Sequence, residues 1–198
     1  MLMEDNGKMT TSWPTAAEWE AEYDREKYKR RYRSTLRSTI FTLIIVAAIS
    51  VLIATLWLPI LQIYGSSMTP TLYDGNIVVT VKSNDYEQGD IIAFYYNNKI
   101  LVKRVIGTPS DWIDMSEDGT VIYNYNALNE PYVQEKAIGE CNITFPYQVP
   151  EERFFVMGDH RSVSIDSRHS SIGCVAEEQI VGKIVFRIWP LSSIGGVE

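Results

Sequence analysis

The sequence predicts a mainly β domain carried behind one N-terminal membrane-spanning helix, and three observations predict it. No charged residue occurs between Arg37 and Asp74, and within that interval Ile40 to Ile60 is apolar apart from threonines and one serine. Beyond it, helical periodicity gives way to short runs rich in Val, Ile, Tyr and Phe. Those runs are separated by "YDG", "EQGD", "YYNNK", "EDG" and "VPEE", which are turn chemistry. A chain of 198 residues with 45% hydrophobic and 22% charged residues suits one globular domain with an appendage.

Residues 1–39 form a tail. Its first 24 residues are acidic, with Ser, Thr, Trp and Pro, and are compatible with partial disorder or with a short helix near "TAAEWEAEYDREKYKRRY". Residues 40–60 follow as an anchor, because at about 1.5 Å per residue they span a bilayer core of about 30 Å. A buried helix of a soluble protein would show a polar face, and a cleaved signal peptide would start nearer the N-terminus and be shorter. The flanks predict orientation. "REKYKRRYRSTLR" carries seven Lys or Arg against Glu26 alone, whereas the first basic residue beyond the anchor is Lys82. The tail is therefore expected in the cytoplasm and the C-terminal domain outside, with anionic lipid the natural partner of the basic stretch.

Residues 61–198 make the exported domain. Its expected strands lie in "NIVVTVK", "DIIAFYY", "KILVKRVIG", "TVIYNYN", "NITFPYQV", "RFFVMGD" and "GKIVFRIW". From Ile40 onward there are ten basic and eighteen acidic residues, a balance that excludes nucleic acid as a natural partner. Cys141 and Cys174 fit no metal or redox motif; a disulfide or two small buried residues remain open for them. Asn142-Ile-Thr144 matches a glycosylation sequon by pattern only. No metal or cofactor is expected.

Three polar features stand out: Ser67 in "GSSMTPTL", Lys103 in "ILVKRVIG", and the loop "MGDHRSVSIDSRHSSIGCV". Alternation puts Lys103 on one strand face with Leu101 and Val105, and Arg104 on the other. An edge lysine would lay its stem on the sheet and its head in water. A lysine desolvated by such neighbours would instead lose its proton nearer neutrality and become a base. A serine hydroxyl needs such a base, and an oxyanion site, to act as a nucleophile. Pro70 stiffens the turn that holds Ser66 and Ser67, and Gly65 lets backbone approach a substrate.

"GSSMTPTL", "GDIIAF", "KRVIG" and "GDHRSVSIDSR" occur in that order after a single anchor. This ordered set resembles type I signal peptidase, a membrane-anchored serine-lysine protease, in its compact Gram-positive form, from the anchor to "IWPLSS". The resemblance implies signal-peptide cleavage from translocated preproteins through an acyl-enzyme. It implies Ser67, not Ser66, as nucleophile, Lys103 as general base, Ser164 as the hydroxyl positioning the lysine, and Asp159, Asp166 and Arg168 as structural loop residues forming ion pairs, Arg104 being one candidate partner. Gly65 stands where some members have an oxyanion-binding serine, so the backbone N–H groups of Ser67 and of Gly65 or Ser66 are the expected donors. His160 stands where the loop usually has Asn. Leu61, Ile63, Leu72 and Leu101 are expected to line shallow pockets for small side chains upstream of the cut. The alternatives are a Ser-His variant using His160 or His169, a self-cleaving repressor-type protease, and a membrane-tethered β-rich binding protein without chemistry. Neither the acidic ectodomain nor the anchor suits the repressor type.

Overall fold

The computed structural model describes residues 13–57 and 59–197, without the side chains of 53–57, and falls into two units that meet between Leu52 and Ile53. Residues 1–12 of the acidic tail lie outside the described residues.

One helix, α1, runs from Ala16 to Trp57 and joins the expected tail helix to the anchor without a break. Thr15 starts it: its N–H and its hydroxyl both donate to the Glu18 carboxylate, at 2.7 and 3.0 Å, occupying donors that the first turn leaves without partners. The apolar part shows Phe41, Leu43, Ile44, Ile45, Val46, Ile49 and Leu52 on its surface, as a helix surrounded by lipid would. The hydroxyls of Thr39, Thr42 and Ser50 each donate to the carbonyl four residues back, so these three polar groups are satisfied within the helix. Pro59 cannot donate to a preceding turn and lies two residues past the helix. The expected boundary after Ile60 moves toward the N-terminus, because Ile60 already pairs with Val79 in a sheet.

The described residues of the second unit form twelve strands: β1 (Ile60–Gln62), β2 (Ile77–Val81), β3 (Ile91–Tyr96), β4 (Lys99–Gly107), β5 (Trp112–Met115), β6 (Val121–Tyr123), β7 (Asn126–Ala127), β8 (Tyr147–Gln148), β9 (Arg153–Met157), β10 (Val175–Ala176), β11 (Ile180–Trp189) and β12 (Gly195–Gly196). The larger sheet has the order β1-β2-β11-β3-β4-β9-β10, with β12 on β11, and the smaller the order β7-β6-β5-β8; the pairings are antiparallel. The run "NITFPYQV" delivers only the two residues of β8, because Pro146 has no N–H for a ladder. β5, absent from the expected strands, supplies the middle of the smaller sheet.

Three apolar clusters fill this unit. One lies around Ile92, Phe94, Val105 and Val156, and a second around Ile106, Ile113, Phe155 and Met157. The third, Ile63, Met68, Leu72, Val78, Ile91 and Ile184, packs under the turn that leaves β1. Both cysteines are free: Cys174 sits in the second cluster, and the Cys141 thiol donates to the Ile143 carbonyl at 3.7 Å. The Asn142 amide donates to the Ser170 hydroxyl at 3.0 Å.

Candidate active site

Three segments meet at Ser67. The first is the turn between β1 and β2. Gly65 adopts a φ of +88°, a left-handed conformation that favours glycine, and Met68 and Leu72, both buried, plug the turn into the third cluster. The Leu72 N–H donates to the Met68 carbonyl at 2.8 Å, closing one helical turn around Pro70. Ser66 is exposed, whereas Ser67 is half-buried and faces the domain.

The second segment is β4, held between β3 and β9, where Lys103 lies opposite Ile92. Lys103 is only 4% exposed, and its Nζ lies 2.6 Å from Ser67 Oγ, the sole hydrogen-bond partner of that hydroxyl among the described residues. Burial lowers its pKa to about 8. Nearby charges act less: Asp166 raises it, Arg168 lowers it and Asp159 raises it.

The third segment is the loop from β9 to β10, where three buried arginines meet three carboxylates. Arg104 grips Asp159 through Nε at 2.9 Å and Nη2 at 2.8 Å, and its guanidinium carbon lies 3.9 Å from the ring centroid of Tyr132. Arg168 holds Asp166 through Nε and Nη2, each at 2.8 Å, and donates to the carbonyls of Ile138 at 2.6 Å and Arg161 at 3.0 Å. Arg161 pairs with Glu130 and donates from Nε to the Gly158 carbonyl at 3.1 Å. Removing one member of such a pair would strand its partner without water, at a cost of about 3–5 kcal/mol. The charges are therefore mutually spent on shaping the loop.

Gly158 lets the loop approach Ser67. A Cβ there would come within 2.5 Å of the Ser67 carbonyl and would overlap Ser164 Oγ. Ser164 is thus packed beside the Ser67 backbone, but its expected hydrogen bond to Lys103 is not formed: Oγ is fully buried and has no hydrogen-bond partner among the described residues. Among the backbone donors, the Gly65 N–H is already given to Asp74 Oδ1 at 2.7 Å, which corrects its expected role, because one N–H cannot serve both. The Ser67 N–H has no protein acceptor among the described residues.

A cleft of about 680 Å³ runs past Ser67 and Lys103 between the β1 exit and the start of β4. Leu61, Ile63 and Leu101 line it with Gln62, Tyr64 and Ile100. Leu72 does not: it is fully buried in the third cluster, because the closed turn carries its side chain inward. Sequence reasoning missed Glu130, Tyr132, Arg161 and Thr71. Glu130 and Tyr132 come from an irregular stretch without periodicity, and only the adjacency of Arg161 to Asp159 and His160 gave a signal. Neither histidine contacts Ser67 Oγ; the His160 ring lies against Thr69 Oγ1 and the His169 ring against Ser171 Oγ.

Comparison with known proteins identifies the family. Residues 36–189 match the family model described as signal peptidase, peptidase S26. The chain is 38% identical over 150 residues to signal peptidase IB of Staphylococcus aureus (strain COL), covering 66% of this chain and 77% of that protein. It is 35% identical over 143 residues to signal peptidase I of Bacillus licheniformis, covering 66% of this chain and 76% of that one. A crystal structure of a signal peptidase I from Enterococcus faecalis aligns with a TM-score of 0.42 and 29% identity, covering 50% of this chain and 97% of that one.

Proposed function

The chain belongs to the peptidase S26 family of signal peptidases, serine endopeptidases that remove signal peptides, and on that premise we propose that Ser67 is its nucleophile and Lys103 its general base. The observation that carries the reading is the 2.6 Å separation of Lys103 Nζ from Ser67 Oγ, with the amine buried and its pKa lowered to about 8.

The free amine takes the hydroxyl proton as Oγ adds to the scissile carbonyl carbon. The resulting oxyanion faces the N–H of Ser67. Collapse breaks the C–N bond, Lys103 returns the proton to the leaving amine, and the signal peptide remains as an ester on Ser67. Water, losing a proton to Lys103, then adds to the ester and releases the peptide carboxylate and the serine. Leu61, Ile63 and Leu101 supply the apolar wall against which small residues upstream of the cut rest.

The test is a pH–rate profile of the full chain in detergent micelles with a purified preprotein. The rate is expected to rise with pH along a single ionisation near 8, the lysine losing its proton. A rate unchanged between about pH 6 and 9 would remove the lysine from the base role.

The same reading puts the seven basic residues of 25–37 in the cytoplasm and the catalytic unit at the outer surface. Protease added to spheroplasts is expected to digest the catalytic unit and to spare a tag placed before Met1. A tag lost from outside would invert the topology.

A further inference from the structure

Building on the Ser67–Lys103 reading, we propose that His160 is a positioning residue, whose ring and backbone together fix the turn that presents the nucleophile. Ser67, Thr69 and Thr71 all attach to the Asp159–His160 pair. The His160 N–H donates to the Ser67 carbonyl at 3.1 Å, its Nδ1 lies 3.1 Å from Thr69 Oγ1, and Thr71 Oγ1 donates to Asp159 Oδ2. Thr69 Oγ1 also donates to the Ser66 carbonyl at 2.8 Å. A hydroxyl owns one hydrogen, so with that hydrogen given to Ser66 the oxygen is left as an acceptor, and the imidazole must donate from Nδ1. The ring, Thr69 and the Ser66 carbonyl then form one directed chain that ends on the residue before the nucleophile.

The same geometry separates positioning from binding. Neither His160 nor Thr69 lines the cleft beside Lys103; the His160 ring borders a separate cavity of about 300 Å³ with Gln134 and Glu135. Without the ring's bond the turn keeps its attachments at Ser67 and Thr71 but loses the middle one. Ser67 Oγ then spends less time within reach of Nζ, while the peptide still finds its groove. The loss therefore falls on kcat and leaves KM alone. Asn carries Nδ2 on Cγ, the atom that bears Nδ1 in histidine, so an asparagine can restore the donor; leucine fills similar space without one.

Steady-state cleavage of a purified preprotein by the full chain in detergent micelles tests this. His160→Leu is expected to lower kcat about fivefold with KM within about twofold, the effect of one lost hydrogen bond, and Thr69→Val, which also loses the bond to the Ser66 carbonyl, is expected to lower it at least as much. The double variant should fall no further than Thr69→Val alone, and His160→Asn should stay within about twofold of the unaltered enzyme. Wild-type kcat in His160→Leu, equal losses in His160→Asn and His160→Leu, or multiplying losses in the double variant would each overturn the role. If His160→Leu melts early, the comparison of His160→Asn with Thr69→Val still decides it. The chain has two histidines, so side-chain ¹⁵N spectra of histidine-labelled protein with and without His169→Ala isolate His160. A hydrogen on Nδ1 is expected, and one on Nε2 alone refutes the directed chain. Cleavage surviving Ser67→Ala would instead overturn the dyad reading, whereas a dead Ser67→Ala beside an unaffected His160→Leu rejects only this role.

Discussion

Ser67→Ala is expected to reduce preprotein cleavage about 10⁴- to 10⁶-fold, the loss seen when a serine protease is deprived of its nucleophile. The expectation rests on Ser67 Oγ being the hydroxyl that Lys103 reaches, at 2.6 Å, in a turn fixed by buried Met68 and Leu72. Alanine removes one half-buried oxygen and leaves the backbone contacts of the turn in place, so the fold should survive. Ser66 is exposed, and Ser66→Ala should change the rate by less than about threefold, as a surface change away from the chemistry does. Time courses of the shortened product, with the cut verified by mass spectrometry, measure both. A Ser67→Ala enzyme retaining more than about one hundredth of the rate would assign the nucleophile elsewhere.

Lys103→Met is expected to be as inactive as Ser67→Ala yet at least as stable at neutral pH. Its lowered pKa, about 8 against 10.5, fixes the sign. Between those values the unfolded chain binds more protons than the folded one, so this group makes stability rise with pH across that window. Below about 8 the cost is complete, about 3 kcal/mol for holding the charged ammonium out of water. Methionine keeps an unbranched apolar stem and carries no charge, so the variant escapes that cost and loses the rise toward alkaline pH. Denaturant melts of the full chain in micelles between about pH 7 and 10 measure the difference. A Lys103→Met protein clearly less stable than the unaltered one at pH 7 would mean that favourable pairing of the charged lysine outweighs its burial, and the lowered pKa would have to be withdrawn.

The sequence was most informative where a local pattern coincides with its tertiary use. β3 and β4 are legible because alternating Ile, Val, Phe and Tyr run between clear turns, and β4 occupies the expected "KILVKRVIG". β5 was missed because four residues, one of them Asp114, make too short a pattern. The stretch 142–149 was over-read because its aromatic and branched residues outweighed Pro146, which forbids a continuous ladder. Within the site, Ser67 and Lys103 are 36 residues apart, so no spacing rule joins them, and the motif order did so instead. The partners of the arginines were less legible. Asp159 and Asp166 lie in the same loop as Arg168, but Glu130 reaches Arg161 from an irregular segment whose only guide is the finished fold. Leu72 was misplaced because the residues after Ser67 coil into a closed turn that carries its side chain into the core, which no local pattern announces.

The three buried arginine pairs also bear on the medium in which this enzyme works. A base tuned by exposed charges would have its basicity set partly by dissolved ions, since at about 0.15 M salt such fields fade over about 8 Å. Here the charges beside Lys103 are locked in close pairs out of reach of mobile ions, and desolvation is the main cause of the low pKa. The Lys103 amine is thus insulated from ionic strength. Surroundings that pass between dilute and saline leave the protonation midpoint of this lysine held by the protein itself.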